Sequence, residues 1–226
     1  MPNIIDYAVL SNAIYEDDGA AEGWVQTAFR RGGNSGVQAA VYVRGSDTIV
    51  AFKGTSAAMD VVADLKLGVG MNTSMYSEAE QFVAQNANRP GVVVTGHSLG
   101  GAIAQTVGNR RRLPFVSFNA PGVALLASQN FHTVNPILGA GRLAGGIVGA
   151  LRHPMQTMRD IGSAFHDSLG VNYRLSGDAV SMYGLHYGPI VNMQASGDPL
   201  TQHKMTTVLE VLRGNGQGGI SFPIGG

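Results

Sequence analysis

The sequence predicts an α/β fold with a mostly parallel central sheet flanked by helices, and three observations predict it. Val92-Val93-Val94-Thr95 is a short β-branched run of the kind buried in a parallel sheet. Gly96-His97-Ser98-Leu99-Gly100 follows at once, and Leu99 to Gly108 then carries Ala102, Ile103, Ala104 and Val107 at helix-compatible spacing. Phe115–Gly122 reads as another buried strand ending in a turn, and Val171–Leu175 as a further strand. A G-x-S-x-G pattern between a strand and a helix is a nucleophile elbow. Its spacing has a physical cause. The serine takes a sharp turn with φ > 0, so the residues two positions away on either side must be nearly free of side chain. The turn lifts the hydroxyl above the sheet edge, toward a helix N-terminus whose free N–H groups favour negative charge. Ser98 is therefore the candidate nucleophile.

The chain of 226 residues is long enough for a single domain over 1–226. Lys plus Arg and Asp plus Glu both number 15, so no net positive charge argues for nucleic acid as a partner. The run Arg110-Arg111-Arg112 reads as the solvated end of a helix. Cysteine is absent, which excludes disulfides and thiolate–metal sites, and no pattern calls for another metal or a cofactor. The first residues lack the charged and apolar regions of a secretory signal, and no run is long enough to span a membrane. The compartment is left unassigned.

In chain order, Asn3 to Tyr15 predicts a helix capped by Asn3, with Asp6 in its first turn and Tyr15 as a packing residue. Glu16 to Asn34 is rich in turn formers, with Trp24 and Phe29 as core. Val37–Arg44 and Thr48–Phe52 form a hairpin about Gly45-Ser46-Asp47. The second strand runs into Lys53-Gly54-Thr55. In an α/β-hydrolase one oxyanion-hole N–H comes from a loop after an early strand and the other from the residue after the nucleophile. Leu99 fits the second role; Thr55 fits the first, or is a plain turn residue. Residues 56–70 mix Met59, Val61, Val62 and Leu65 with Asp60 and Asp64, as a candidate lid or a surface helix. Ser77-Glu78-Ala79-Glu80 reads as a capping box that opens a helix to about Asn88. The insert 125–170 is glycine-rich and apolar, and either packs on the core or faces lipid. Pro189–Gln194 is a last strand and Thr201–Arg213 a terminal helix, with a flexible tail at 214–226.

A serine hydroxyl needs a histidine base, and the base needs an acid to orient it. The hydrolase order is serine, acid, histidine. Among the downstream acids Asp178 is favoured, because it follows a strand at a Ser-Gly turn. Only His186 and His203 come after it, and His203 is favoured because His186 stands eight residues from the acid. His97 is set aside as a base, its side chain expected to leave the elbow away from Ser98.

These motifs resemble the class 3 lipases, the family of the fungal triacylglycerol lipases and of many bacterial lipases and phospholipases. The resemblance rests on Val50–Thr55, similar to a strand with an "FRGT" oxyanion loop, on Asp60–Leu65, on Thr95–Gly101, on Ser117–Gly122 and on Asp178-Ala179-Val180. It implies Ser98 as nucleophile, Asp178 as acid, His203 as base, Thr55 and Leu99 at the oxyanion hole, and a lid after Thr55. Two departures are Lys53 in place of the usual arginine and the lack of tryptophan after Thr55. His203-Lys204-Met205 is similar to a variant found in bacterial members, some of which are delivered into rival cells. That analogy implies an antibacterial effector exported without a signal, with an immunity protein as partner. The expected function is thus lipase- or phospholipase-type hydrolysis of lipid esters through an acyl-enzyme, with transient contact at a lipid interface. A cutinase-like or feruloyl-type esterase on soluble esters and an inactive hydrolase fold used for binding are the rival readings.

Overall fold

The computed structural model describes residues 1–16, 20–32, 36–54, 73–124 and 168–214. The candidate lid 56–70, nearly all of the insert (125–167 of 125–170) and residues 215–226 of the tail lie outside them, as does Thr55.

The chain opens with helix α1, Ile4–Ala13, held by a reciprocal cap. The Asp6 N–H donates to Asn3 Oδ1 at 3.1 Å, and the Asn3 N–H donates back to Asp6 Oδ2 at 2.8 Å. Asp6 does more than cap. Its carboxylate accepts Trp24 Nε1–H at 3.0 Å and both Arg44 terminal nitrogens at 2.6 and 2.9 Å, while the Arg44 guanidinium lies 4.3 Å from the Trp24 ring centroid. One carboxylate thus joins the start of α1 to two strands. Burial would raise its pKa, but the Arg44 hydrogen bonds and charge, with those from Asn3 and Trp24, hold it below the ordinary carboxylate value. Asp6→Asn is expected to cost about 2 kcal/mol at neutral pH, the order for a charged hydrogen-bonding group. A depressed folded pKa stabilises above the unfolded value and loses that contribution as pH falls through the folded one. The gap between wild type and variant in urea melts therefore closes below about pH 4.

The sheet has eight strands in sequential order: β1 (Ala20–Ala21), β2 (Trp24–Arg30), β3 (Ala39–Arg44), β4 (Asp47–Phe52), β5 (Val92–His97), β6 (Phe115–Phe118), β7 (Val171–Leu175) and β8 (Ile190–Met193). β1 to β4 are antiparallel, and every pairing from β4 to β8 is parallel. The β3–β4 hairpin and β7 lie where the sequence puts them. β2 corrects the reading of 16–34 as turns. Its burial alternates only weakly, with Trp24 buried and Val25 exposed, so the flanking turn formers outweighed its own pattern.

Helix α2, Thr73–Asn86, begins before Ser77, so Ser77–Glu80 is not its cap. The earlier start buries Met75 and Tyr76 on the same face as Ala79, Phe82 and Val83. Glu78 and Glu80 instead pair with Arg30 and Arg110 across to neighbouring elements. Helix α3, Leu99–Arg111, follows β5 directly. The expected terminal helix is two: α4, Pro199–His203, and α5, Met205–Gly214, broken at Lys204, which is extended at ψ 138°. On α5, Met205, Val208, Leu209 and Leu212 are all buried.

Helices cover both faces of the sheet. Leu10, Ile49, Val93, Phe118, Tyr173 and Val208 belong to the core under α1 and α5. Val50, Phe52, Val94, Phe82, Ile103 and Val107 belong to the core under α2 and α3. β5 runs between them, its successive side chains entering alternate cores. Its C-terminal end therefore emerges from a fully packed centre, where a turn cannot drift.

Candidate active site

β5 ends in the elbow. Ser98 has φ 56° and ψ −127°, a conformation that ordinary side chains avoid. Its N–H donates to Phe118 O at 3.0 Å, which ties the turn to β6. The two flanking glycines are required by contact. A Cβ at Gly96 would lie 2.8 Å from Gly101 N, and one at Gly100 would lie 2.7 Å from Phe52 C. Both obstacles are backbone, and neither can yield without moving helix α3 or strand β4. Gly100→Ala is expected to cost about 3 kcal/mol or more in urea melts, from overpacking against β4.

Asp178 lies three residues beyond β7. The Val180 N–H donates to its Oδ1 and the Ser181 N–H to its Oδ2, both at 3.1 Å. Its side chain is fully buried. Burial would raise its pKa, but the hydrogen bond and charge of His203, with the donors from Ser181 and Val180, prevail and hold it below the ordinary carboxylate value. Asp178 is thus an anion at neutral pH.

His203 is the last residue of α4, whose N-terminus Asp198 caps by accepting the N–H groups of Leu200 and Thr201 at 2.9 and 3.0 Å. The break at Lys204 leaves the final carbonyls of α4 without partners in the helix. Distant side chains take them instead. Asn119, at φ 44° just after β6, donates from Nδ2 to Gln202 O at 2.7 Å and accepts Leu175 N–H at 2.9 Å. Gln202 in turn accepts Gly177 N–H at 2.8 Å. Base and acid are therefore carried on segments that are themselves bonded together.

The structure brings Ser98, His203 and Asp178 within hydrogen-bonding reach. His203 Nδ1 lies 2.8 Å from Asp178 Oδ1, and His203 Nε2 lies 2.9 Å from Ser98 Oγ. An ionised carboxylate only accepts, so the imidazole proton belongs on Nδ1 and Nε2 accepts the Ser98 hydroxyl proton. This is the state in which a serine can be deprotonated by its neighbour. His186 is elsewhere: its Nε2 donates to Ala120 O at 2.9 Å, and burial holds its pKa down. Leu99 begins α3, so its N–H is among those with no acceptor inside the helix.

His97 does not bond Ser98 Oγ, which His203 Nε2 takes. Its ring instead faces that of His203, with ring centroids 4.9 Å apart, a contact the sequence does not announce. Nor does the sequence single out Tyr15, Asn119 and Gln202 for the site, because their partners lie 82, 83 and 25 residues away. Among the described residues no cluster of three or more His, Cys, Asp or Glu could hold a metal ion. Among them also, no helix is long and apolar enough to cross a membrane.

Comparison with known proteins adds the following. An extracellular phospholipase A1 of Serratia liquefaciens is 33% identical over 92 residues, which are 40% of this chain and 29% of that protein. The chain thus spans less than a third of that relative. A triacylglycerol lipase of Penicillium expansum is 16% identical over 85% of this chain and 78% of its own, with a TM-score of 0.46. The triacylglyceride lipase of Rhizomucor miehei is 16% identical over 83% and 77%, with a TM-score of 0.45. The family model of the Tle-like phospholipase domain matches residues 6–208, nearly the whole chain. The chain belongs to the Tle-like phospholipase domain family.

Proposed function

We propose that this single α/β domain hydrolyses carboxylic esters of lipids through an acyl-enzyme formed on Ser98. The observation that carries the reading is the continuous bonded line from Ser98 Oγ through His203 to Asp178 at the mouth of the elbow. Ser98 Oγ attacks the acyl carbonyl as its proton passes to His203 Nε2. The Asp178 carboxylate stabilises the imidazolium and keeps its orientation. Negative charge gathers on the carbonyl oxygen, where the Leu99 N–H and that of Thr55 are the assigned donors. The intermediate collapses, and His203 returns the proton to the leaving alcohol oxygen. Water then repeats the sequence, and the fatty acid departs from Ser98.

Family membership and the name of the Serratia relative favour a phospholipid as the ester. Such a substrate lies in a membrane surface, so the domain meets a lipid interface transiently, with 56–70 as the candidate lid. An effector role with an immunity partner rests on family analogy alone.

The test is product analysis with phosphatidylcholine vesicles and triacylglycerol emulsions, using wild type and Ser98→Ala. The expected result is fatty acid and lysophospholipid from the vesicles with wild type only. Equal release by the variant would overturn the assignment. Release from triacylglycerol alone would overturn the choice of substrate.

A further inference from the structure

Two groups beside Ser98 take no part in these steps: the buried His97 imidazole and the hydroxyl of the half-buried Tyr15. The His97 ring stands between Tyr15 and His203, with ring centroids 6.0 and 4.9 Å away. Tyr15 Oη lies 3.1 Å from Gly54 N and 3.1 Å from His97 Nδ1, and His97 Nε2 lies 2.6 Å from the His203 carbonyl oxygen.

The directions of these bonds are fixed by their ends. The Gly54 N–H only donates, so the Tyr15 oxygen accepts it, and the Tyr15 proton goes to His97 Nδ1, the ring nitrogen left as acceptor once Nε2 carries the proton. The His203 carbonyl only accepts, so His97 Nε2 carries the ring proton and donates it. Burial, and then the charge of His203, pull the His97 pKa down to about 3. The ring is therefore neutral, and this one tautomer persists through the neutral range.

The His203 carbonyl has a second, longer contact, from Asn119 Nδ2 at 3.4 Å, and that nitrogen holds Gln202 O more closely at 2.7 Å. Asn119 thus docks the end of α4 without His97. What His97 adds is the short bond that fixes the backbone of the base itself. Its other end reaches, through Tyr15, the residue just before Thr55.

We propose that His97 is a positioning residue for His203, and that Tyr15 couples this position to the Gly54 end of the oxyanion loop. The inference rests on the catalytic reading of Ser98 and His203 given above.

The test compares His97→Leu, His97→Gln, His97→Asn and Tyr15→Phe. Glutamine places an amide N–H near the position of Nε2 and so keeps the donor to His203. Asparagine keeps only an acceptor near Nδ1. His97→Leu is expected to lower kcat by about 10- to 100-fold with KM changed by less than about twofold, the size of effect that a misplaced group produces. His97→Gln restores kcat to within about threefold of wild type, and His97→Asn does not. Tyr15→Phe lowers kcat several-fold with KM unchanged.

A second readout needs no substrate: the far-downfield proton resonance of His203 Nδ1–H bonded to Asp178. It is expected to broaden or move in His97→Leu and His97→Asn and to return in His97→Gln. Wild-type kcat with an unshifted resonance in His97→Leu would overturn the proposal. So would a glutamine variant no better than asparagine, which is also the decisive pair if the leucine variant fails to fold. If wild type cleaves no ester, the proposed function falls, and the resonance still decides the positioning role.

Discussion

Replacing Ser98 with alanine lowers kcat on a carboxylic ester by about 10⁶-fold, the size of loss seen when a triad nucleophile is removed. The fold should hardly notice. Ser98 Oγ bonds His203 Nε2 at 2.9 Å, while the turn itself is held by backbone, through the Ser98 N–H on Phe118 O. Alanine keeps the same Cβ at φ 56°, so the strain of the elbow is unchanged. The variant therefore separates chemistry from stability: initial rates collapse while the urea midpoint shifts little. A residual rate of about 10³-fold over water is expected from the oxyanion donors and from binding.

Asp178→Asn is expected to lower kcat by about 10⁴-fold, and for a different reason. The carboxylate now accepts His203 Nδ1–H as well as the N–H groups of Val180 and Ser181. An amide has one acceptor oxygen and two donor hydrogens. If that oxygen turns toward the two backbone donors, the amide nitrogen faces His203 Nδ1 and asks it to accept. The proton then moves to Nε2, where it can no longer receive the proton of Ser98. The variant should also lose stability, because a buried donor is left without a partner, and by about 1–3 kcal/mol. The pH dependence has a definite sign. The folded pKa of Asp178 is depressed, so its contribution is complete above the unfolded value of about 4 and is lost as pH falls through the folded value. Denaturant melts of wild type and Asp178→Asn should therefore converge in acid and diverge toward neutrality.

The parts of this molecule that were legible in the sequence are those whose signal is local. Val92–Gly100 announces itself because strand, turn and helix follow one another within a few residues. Asp178 could be singled out because it follows β7, whose bounds match the apolar run. His203 could be singled out because chain order left two candidates. The capping pair of Asn3 and Asp6 is likewise three residues wide. What could not be read depends on partners far along the chain. Asp6 looked like a first-turn acid, and nothing near it announces Trp24 and Arg44. The break between α4 and α5 follows no glycine or proline at Lys204. It coincides with the capture of the Gln202 and His203 carbonyls by Asn119 and His97. β2 is not legible because its apolar residues fall on both faces of a strand near the sheet edge. The contact of His97 with His203 is not legible because it forms only where α4 folds back over the end of β5.

Mass spectrometry after treatment with a fluorophosphonate tests the central claim most directly, since the reagent bonds only to a serine whose proton has somewhere to go. The account predicts one adduct, on the peptide containing Ser98, formed by wild type and nearly absent from His203→Ala. An unmodified Ser98 in folded wild type, or equal labelling without the imidazole at 203, would contradict it.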